Sequence, residues 1–439
     1  MAFIEPFQPF GSIQEAHVIK KATGFYDASI NVPRLSTAEP VEVTREKGKW
    51  DNPENLIKQL KIDKIDVSEN YRNELKSLIT EFSHCFSRDK FDLGCASFYE
   101  ARLTLKRDFT PKWVPTRQTS YKMQPFMDQQ IENLEKSGQI SKCRFSIWNL
   151  PVFLAVKPNS KSTANPHRFL VDARALNSQV IKDNYELPRI NNILDKMTEG
   201  KFWSNFDLTS SFTQIGLEQN SRHLTAFTYN QRRYMFNRMI QGAINSSAEF
   251  SRAMGLLFES TPFSSLCFFI DDLLMASNTE REHIKRLRFM FQRLEWGNLK
   301  CNPNKTNLMA REVNFVGHTL SEKGLQVSDD KIQAIKKLPP PINVKSLQSF
   351  LGMLNYHRNH IQHFAQTAAP LYNLLQKNAP FNWDDSCHES WSQLRTALMT
   401  APILGIVDYT DKYQSYIVTI DSSKAGHGAT LTQWDGNQR

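Results

Sequence analysis

Two adjacent carboxylates, Asp271 and Asp272, interrupt the apolar run LCFFIDDLLMAS at residues 266–277. The arms Leu266–Ile270 and Leu273–Ala276 have the length of buried strands, which puts both aspartates at the two-residue tip of a hairpin. Tight hairpins favour glycine or asparagine there because the tip needs positive φ. No glycine is available, and two like charges sit side by side, so one carboxyl pKa should rise unless a cation neutralises the pair. An oxygen-only donor set suits Mg²⁺. The plain alternative is a solvated acidic turn. A third acid, Asp207, lies 64 residues before Asp271 in the strand-like segment FWSNFDL. Alternation puts Phe202, Phe206 and Leu208 on one face and Trp203, Asn205 and Asp207 on the other. If the two strands are neighbours, Asp207 and Asp271 can hold two Mg²⁺ ions about 3.5–4 Å apart, one activating an attacking hydroxyl and the other stabilising the leaving oxygen. That is the chemistry of in-line phosphoryl transfer. A lone aspartate at a strand end is more often a turn or cap residue, so Asp207 counts only through its pairing.

Such chemistry needs cations for its phosphates. The 439-residue chain carries a formal net charge of +9, and residues 101–200 hold 16 Lys and Arg against 9 Asp and Glu. That local excess suits a phosphate backbone, and equally a lysine-rich soluble surface. Length suggests two to four domains. At 40% hydrophobic and 23% charged the composition is that of a globular protein. No run of 18 apolar residues predicts a membrane span, and the N-terminus lacks a signal-peptide pattern. Six scattered cysteines form no CxxC pair, so neither a zinc knuckle nor a disulfide framework is expected, and the setting is a reducing one.

The elements that must position these residues follow from periodicity. Residues 1–55, with five prolines and no apolar face, read as a flexible leader. A small helical extension covers 56–110, with a helical pair to Phe86 and a short strand over Glu100–Lys106. A helix over Met127–Ile140 stops at Gly138. Strands over Ile147–Lys157 and Arg168–Ala173 enclose the polar loop 158–166, a flap over an anionic ligand in which Lys161 and Arg168 are the candidate cations. A helix over Leu187–Met197 has a proline near its first turn. A hairpin covers Thr225–Ile240, and helices cover Ser246–Ser260 and Glu280–Trp296. Val313–Leu320 reads as one strand whose internal glycine marks a bulge. Helices follow over Asp330–Leu338, Val344–Phe364, Leu371–Gln376 and Cys387–Thr400, then a strand over Tyr416–Asp421. His357, His360 and His363 drift off one helical face, so they are expected to be solvated or to face nucleic acid, not to bind a metal.

In this order, several of these segments resemble the reverse transcriptases, most closely the polymerases of gypsy-type LTR retrotransposons, from about Phe82 onward. RFLVDARALN (168–177) resembles the fingers motif, and LPRINNILDKMTEGKFWSNFDLTSSFTQI (187–215) the first catalytic motif. FIDD (269–272) resembles the aromatic-x-Asp-Asp box, and VNFVGH (313–318) the primer grip. LQSFLGMLNYHRNHIQHFAQTAAPLYNLL (347–375) resembles the stretch beyond it. SSFTQI lacks the usual glycine before its aromatic, and QGAINSSAEF lacks a common proline. The resemblance implies an α+β right-hand polymerase, with fingers and palm over 111–320 and thumb or connection helices over 321–412. A truncated RNase H-like strand region would occupy 413–439.

Carried over by position, the resemblance makes Asp207, Asp271 and Asp272 the metal-binding catalytic residues, with Asp272 the least direct ligand, and Lys305 a proton donor near the pyrophosphate. Phe212 becomes the gate against a ribose 2′-hydroxyl, with a core aromatic as the competing reading. Gln241 and Gly242 line the nucleotide pocket, and Arg168 with Lys161 holds the triphosphate. Phe315, Val316, Gly317 and His318 place the primer end. The implied function is RNA-directed DNA polymerase activity with two Mg²⁺ ions, or Mn²⁺ in their place. Partners would be an RNA or DNA template-primer, dNTPs and other parts of a Gag-Pol polyprotein in cytoplasmic virus-like particles, with no membrane. Asp421 would be the first RNase H carboxylate, and no RNase H activity is expected from this chain. The competing readings are an inactive nucleic-acid-binding relative and a metal-dependent nuclease, the latter leaving Phe212, Gln241 and the grip without a role.

Overall fold

Strand Phe202–Asp207 lies inside a four-stranded antiparallel sheet, between Asn307–Ala310 on one side and Asp272–Ser277 on the other, with Leu266–Phe269 at the far edge. These come from a computed structural model that describes residues 50, 52–156, 167–186, 188–197, 200–402, 404, 416–423 and 426–433. Contacts divide the chain into Met1–Val43 and Thr44–Arg439, and all described residues belong to the second unit. The leader expected over 1–55 therefore falls almost wholly outside the described residues.

One face of the sheet packs Phe202, Phe206, Leu273 and Met275 against Phe250 and Met254 of helix Ser246–Leu257 and Leu287 and Phe291 of helix Glu280–Trp296. On the other face, which alternation assigns to Trp203, Asn205 and Asp207, Trp203 is fully buried with Ile193, Leu194 and Met197 of helix Ile190–Met197 and with Val313, Phe315 and Leu320. Trp203 Nε1 donates to Met197 O at 2.8 Å. Only Asn205 and Asp207, at the strand's end, stay half-exposed. The polar face is polar only where the covering helix and hairpin stop.

Buried His283 fastens the long helix to the sheet. Its Nε2 is 2.7 Å from Ser204 Oγ and its Nδ1 2.7 Å from Ser277 Oγ. Ser204 Oγ also accepts from Met309 N at 2.9 Å, at a point where the edge strand carries one extra residue between Asn307 and Ala310 and Met309 has φ +48°. Such a bulge twists the strand locally.

The helical pair before Phe86 is found as Pro53–Gln59 and Glu69–Glu81. Phe82 stacks on Phe291 at 5.8 Å. The strand expected over Glu100–Lys106 is only Glu100–Ala101, with an isolated bridge from Leu105 to Val180. Helix Gln124–Lys136 ends before Gly138, whose φ is +69°. The expected strand over Ile147–Lys157 starts only at Val152, because Pro151 has no N–H to give a ladder. It pairs with His167–Val171. Helix Ile190–Met197 starts two residues after Pro188, so the proline stands near its first turn, just ahead of it. The hairpin Phe227–Tyr229 and Arg232–Phe236 turns at Asn230–Gln231, both at positive φ, and a third strand, Ile140–Lys142, joins it.

Two expectations fail beyond residue 312. Val313–Leu320 is not one bulged strand but a hairpin, Glu312–Phe315 and His318–Ser321, turning at Val316–Gly317 with φ +45° and +76°. Two consecutive left-handed residues reverse the chain instead of kinking it. The helix expected over Val344–Phe364 ends at Tyr356, and a new one, Phe364–Asn373, starts after His363 at φ +52°. With Asp329–Lys336 and Asp385–Met399, these helices enclose a core of their own around Ile335, Leu347, Leu354, Leu371 and Leu394. The strand expected over Tyr416–Asp421 is one arm of a hairpin, Tyr416–Ser423 with Gly426–Gln433.

Candidate active site

Register brings the aspartates together. The ladder between Phe202–Asp207 and Asp272–Ser277 pairs Asp272 with Asp207. Directly opposed residues of an antiparallel pair share a face, their Cβ atoms about 4.5–5.5 Å apart. The hairpin turn is Ile270–Asp271, not Asp271–Asp272, because Asp272 already pairs with Phe269. So Asp272 stands across from Asp207, and Asp271 is exposed in the turn. The shift by one residue puts Ile270 at φ +56°. A β-branched residue in that region costs on the order of 1 kcal/mol or more, strain of the kind found beside functional groups.

The electrostatics ask for a cation. Burial, then the charges of Asp271 and Asp207, push the half-buried Asp272 carboxyl up to about 6, against the pull of Lys305. Lys305 Nζ donates to Asp207 Oδ2 at 3.0 Å, so an ammonium already sits on the acidic group. Among the described residues no three acidic, histidine or cysteine side chains stand arranged to chelate an ion. Carboxylate oxygens that repel one another and lie beside a lysine are a fitting donor set for a hard divalent cation.

The loop carrying Lys305 is built locally. Asn302 N donates to Asp207 O at 2.7 Å, and Asn302 Oδ1 accepts from Asn304 N at 3.0 Å. Beneath it, buried Gln214 donates to Thr209 O and Lys300 O, both at 2.8 Å, and accepts from Lys300 N at 2.7 Å. Gln214 thus ties the segment after Asp207 to the segment before Lys305. Sequence reasoning passed over Gln214, although it stands inside the quoted SSFTQI.

Of the other candidates, Arg168 and Gln241 meet: the Arg168 guanidinium donates to Gln241 Oε1. Gly242 follows at φ +97° with open space around it, so its backbone conformation is what requires glycine. Asn177 clamps this loop, donating to Gly242 O at 2.8 Å and accepting from Ile244 N at 2.9 Å. Asn177 was also missed, although it closes the RFLVDARALN segment. Phe212 is half-buried, edge-on to Phe250 at 5.6 Å, which satisfies the core reading for one side of its ring. Lys161 lies outside the described residues, as does the side chain of Asp421.

Phe315, Val316, Gly317 and His318 form the end of the hairpin described above. Phe315 and His318 are buried, and the two turn residues are half-exposed. His318 stands with His357 and His360, and all three are at most 4% exposed. The expectation that His357 and His360 are solvated is thereby corrected; only His363 is exposed. Burial holds His318 and His357 neutral, each down to about 4.

Residues 157–320 match the family described as reverse transcriptase (RNA-dependent DNA polymerase), and residues 383–439 match the RNase H-like domain found in reverse transcriptase. The chain is 30% identical over 371 residues to the Pol polyprotein of transposon 412 from Drosophila melanogaster, covering 84% of this chain and 30% of that protein. It is 27% identical over 385 residues to that of transposon gypsy from the same organism, covering 85% and 37%. The chain thus spans about a third of the length of these relatives. The foamy viral protease-reverse transcriptase in complex with dsDNA shares the fold, with a TM-score of 0.76 at 23% identity over 88% of this chain and 79% of that one. Fold and sequence kinship agree: residues 157–320 match the reverse transcriptase family, and most of the chain is similar to the Pol polyproteins of transposons such as 412 and gypsy.

Proposed function

We propose that the chain is an RNA-directed DNA polymerase, adding dNTPs to a primer 3′ end on an RNA or DNA template. The observation that carries this reading is Asp272 in register with Asp207, with Asp271 in the adjoining turn and Lys305 against Asp207. Asp207, Asp271 and Asp272 would hold two Mg²⁺ ions, for which Mn²⁺ can substitute; when bound, these acidify the primer hydroxyl and stabilise charge on the departing pyrophosphate. Lys305, released from Asp207, would give a proton to that pyrophosphate. Arg168 binds the triphosphate and Gln241 orients the incoming nucleotide, on a loop held by Asn177 and Gly242. The exposed side of Phe212 closes the pocket where a ribose 2′-hydroxyl would sit. The cation-rich segment 101–200 offers the template-primer its phosphate contacts. Like the Pol polyproteins it resembles, the chain would work as part of a longer Pol protein, and we place that work in a cytoplasmic virus-like particle. Among the described residues no helix is long and apolar enough to cross a membrane.

The test is primer extension on poly(rA)/oligo(dT) with dTTP and Mg²⁺, wild type beside Asp207→Asn and Asp272→Asn. Extension by the wild type and none by either variant is the expected result. Extension by all three would assign the carboxylates wrongly, and silence of the wild type while it still binds the hybrid would leave only a binding protein.

A further inference from the structure

A two-residue hairpin turn normally presents its carbonyl groups to solvent. At Val316–Gly317 both are taken from behind. Val316 O accepts from Tyr356 Oη at 2.6 Å. Gly317 O accepts from Ser328 N at 3.2 Å and from Ser328 Oγ at 3.0 Å. Ser328 is the N-cap residue of helix Asp329–Lys336, yet its side chain makes no capping bond to that helix. The hydroxyl that would ordinarily cap the helix backbone reaches the turn, and the Asp330 carboxylate of the helix's first turn also lies within its reach. Tyr356 is the last residue of helix Val344–Tyr356. Two separate helices therefore each grip one carbonyl of the same turn.

A third tie runs through the histidines. Val316 O can only accept, so His318 Nδ1, 3.3 Å away, is its donor. That leaves His318 Nε2 as the acceptor for His357 Nδ1, 3.2 Å away. The His318 ring lies 5.3 Å from the ring of Tyr356 and 4.8 Å from that of His357. His360 is fixed separately, its Nδ1 donating to Pro402 O at 3.2 Å. Charged side chains at this joint come from the neighbouring helix: Lys331, whose Cε is 3.4 Å from where a Gly317 Cβ would stand, and Asp330.

We propose that Tyr356, Ser328 and His357 are positioning residues that set the height and tilt of the 315–318 turn, and through it the alignment of the primer 3′ terminus. This rests on the polymerase reading above. The bonds of Tyr356 and Ser328 end on backbone carbonyls of the turn, and that of His357 on the His318 ring, so their effect is transmitted by the turn's position and not by contact with the reacting atoms.

Tyr356→Phe deletes one hydroxyl and keeps the ring on His318 and His357. Ser328→Ala deletes the other. Losing one hydrogen bond of this kind is expected to lower kcat for single-nucleotide addition about fivefold to tenfold. The double variant should lose more, with the dNTP KM unchanged and a lowered Tm that still leaves the protein folded at the assay temperature. In parallel, 2-aminopurine at the primer 3′ end reports terminus mobility without turnover, and its fluorescence in the bound complex should rise in both variants. Variants that match the wild type in rate and fluorescence overturn the proposal while leaving the polymerase reading in place. So does a rate loss that only follows the fraction folded. A wild type that binds the duplex without extending it overturns the polymerase reading, and the fluorescence then decides the positioning role alone. A wild type that does not bind the duplex removes both.

Discussion

Asp272 concentrates the electrostatic tension of the site. Its folded carboxyl titrates near 6 because burial and two neighbouring aspartates oppose its charge. The fold therefore holds this proton more tightly than the unfolded chain does, between about pH 4 and 6. The stabilisation from the proton is present below that window and lost above it. At pH 7 without metal, the charge costs on the order of 1 kcal/mol after allowance for solvent screening. Asp272→Asn should raise Tm slightly at pH 7 in chelator, with the difference from wild type vanishing near pH 4. Added Mg²⁺ should raise the Tm of the wild type more than that of the variant. Differential scanning fluorimetry reads both, and equal Mg²⁺ shifts would remove Asp272 from the ion site. Arg168 makes a separate residue-level case. Arg168→Ala should raise the KM for dTTP about tenfold, the value of one lost charge-assisted contact, with template-primer affinity little changed. A change in affinity alone would place Arg168 on the nucleic acid.

Elements hold the site through a few buried polar groups. His283 joins Phe202–Asp207, Asp272–Ser277 and Glu280–Trp296 with two hydrogen bonds. Burial, with a smaller push from Arg286, lowers its pKa to about 3. The unfolded chain then binds the extra proton, so stability from this ring is complete above about pH 6.5 and falls as pH drops toward 3. The loss is up to about 1.4 kcal/mol per pH unit. His283→Leu should cost about 2–4 kcal/mol at pH 7, because Ser204 and Ser277 lose their partner. It should also flatten the acid limb of the stability curve. Urea unfolding at pH 7 and pH 5 measures both. A pH slope equal to that of the wild type would mean the acid sensitivity resides elsewhere, with the His318–His357–His360 group the next place to look.

The described residues combine a palm-like sheet covered on both faces with a helical region that has its own core. The net charge of +9 is carried mainly by residues 101–200. If six to ten of these cations neutralise phosphates, affinity for an RNA/DNA hybrid should fall about 10³–10⁵-fold between 50 and 200 mM salt. A filter-binding titration across that range tests this. A flat response would place the basic excess on an ordinary solvated surface.

Local pattern carried a great deal here. The apolar arms around Asp271–Asp272, the helix Glu280–Trp296 and the glycine stop at Gly138 were all legible because burial periodicity is a property of each segment alone. The ordered motifs likewise pointed to the three aspartates as the candidate site. What the residues could not express was partnership across the chain. A one-residue shift of the hairpin turn decided that Asp272, not Asp271, faces Asp207, and left Ile270 in a left-handed conformation that its own chemistry disfavours. Packing by helix Ile190–Met197 buried a strand face that alternation had left polar. The meetings of Arg168 with Gln241 and of Lys305 with Asp207 join residues 73 and 98 positions apart. His318 and His357 are 39 apart. Periodicity is set by each residue's preference for water or core, whereas register and contact are set by the summed energy of packing distant segments together, which becomes definite only in the folded chain.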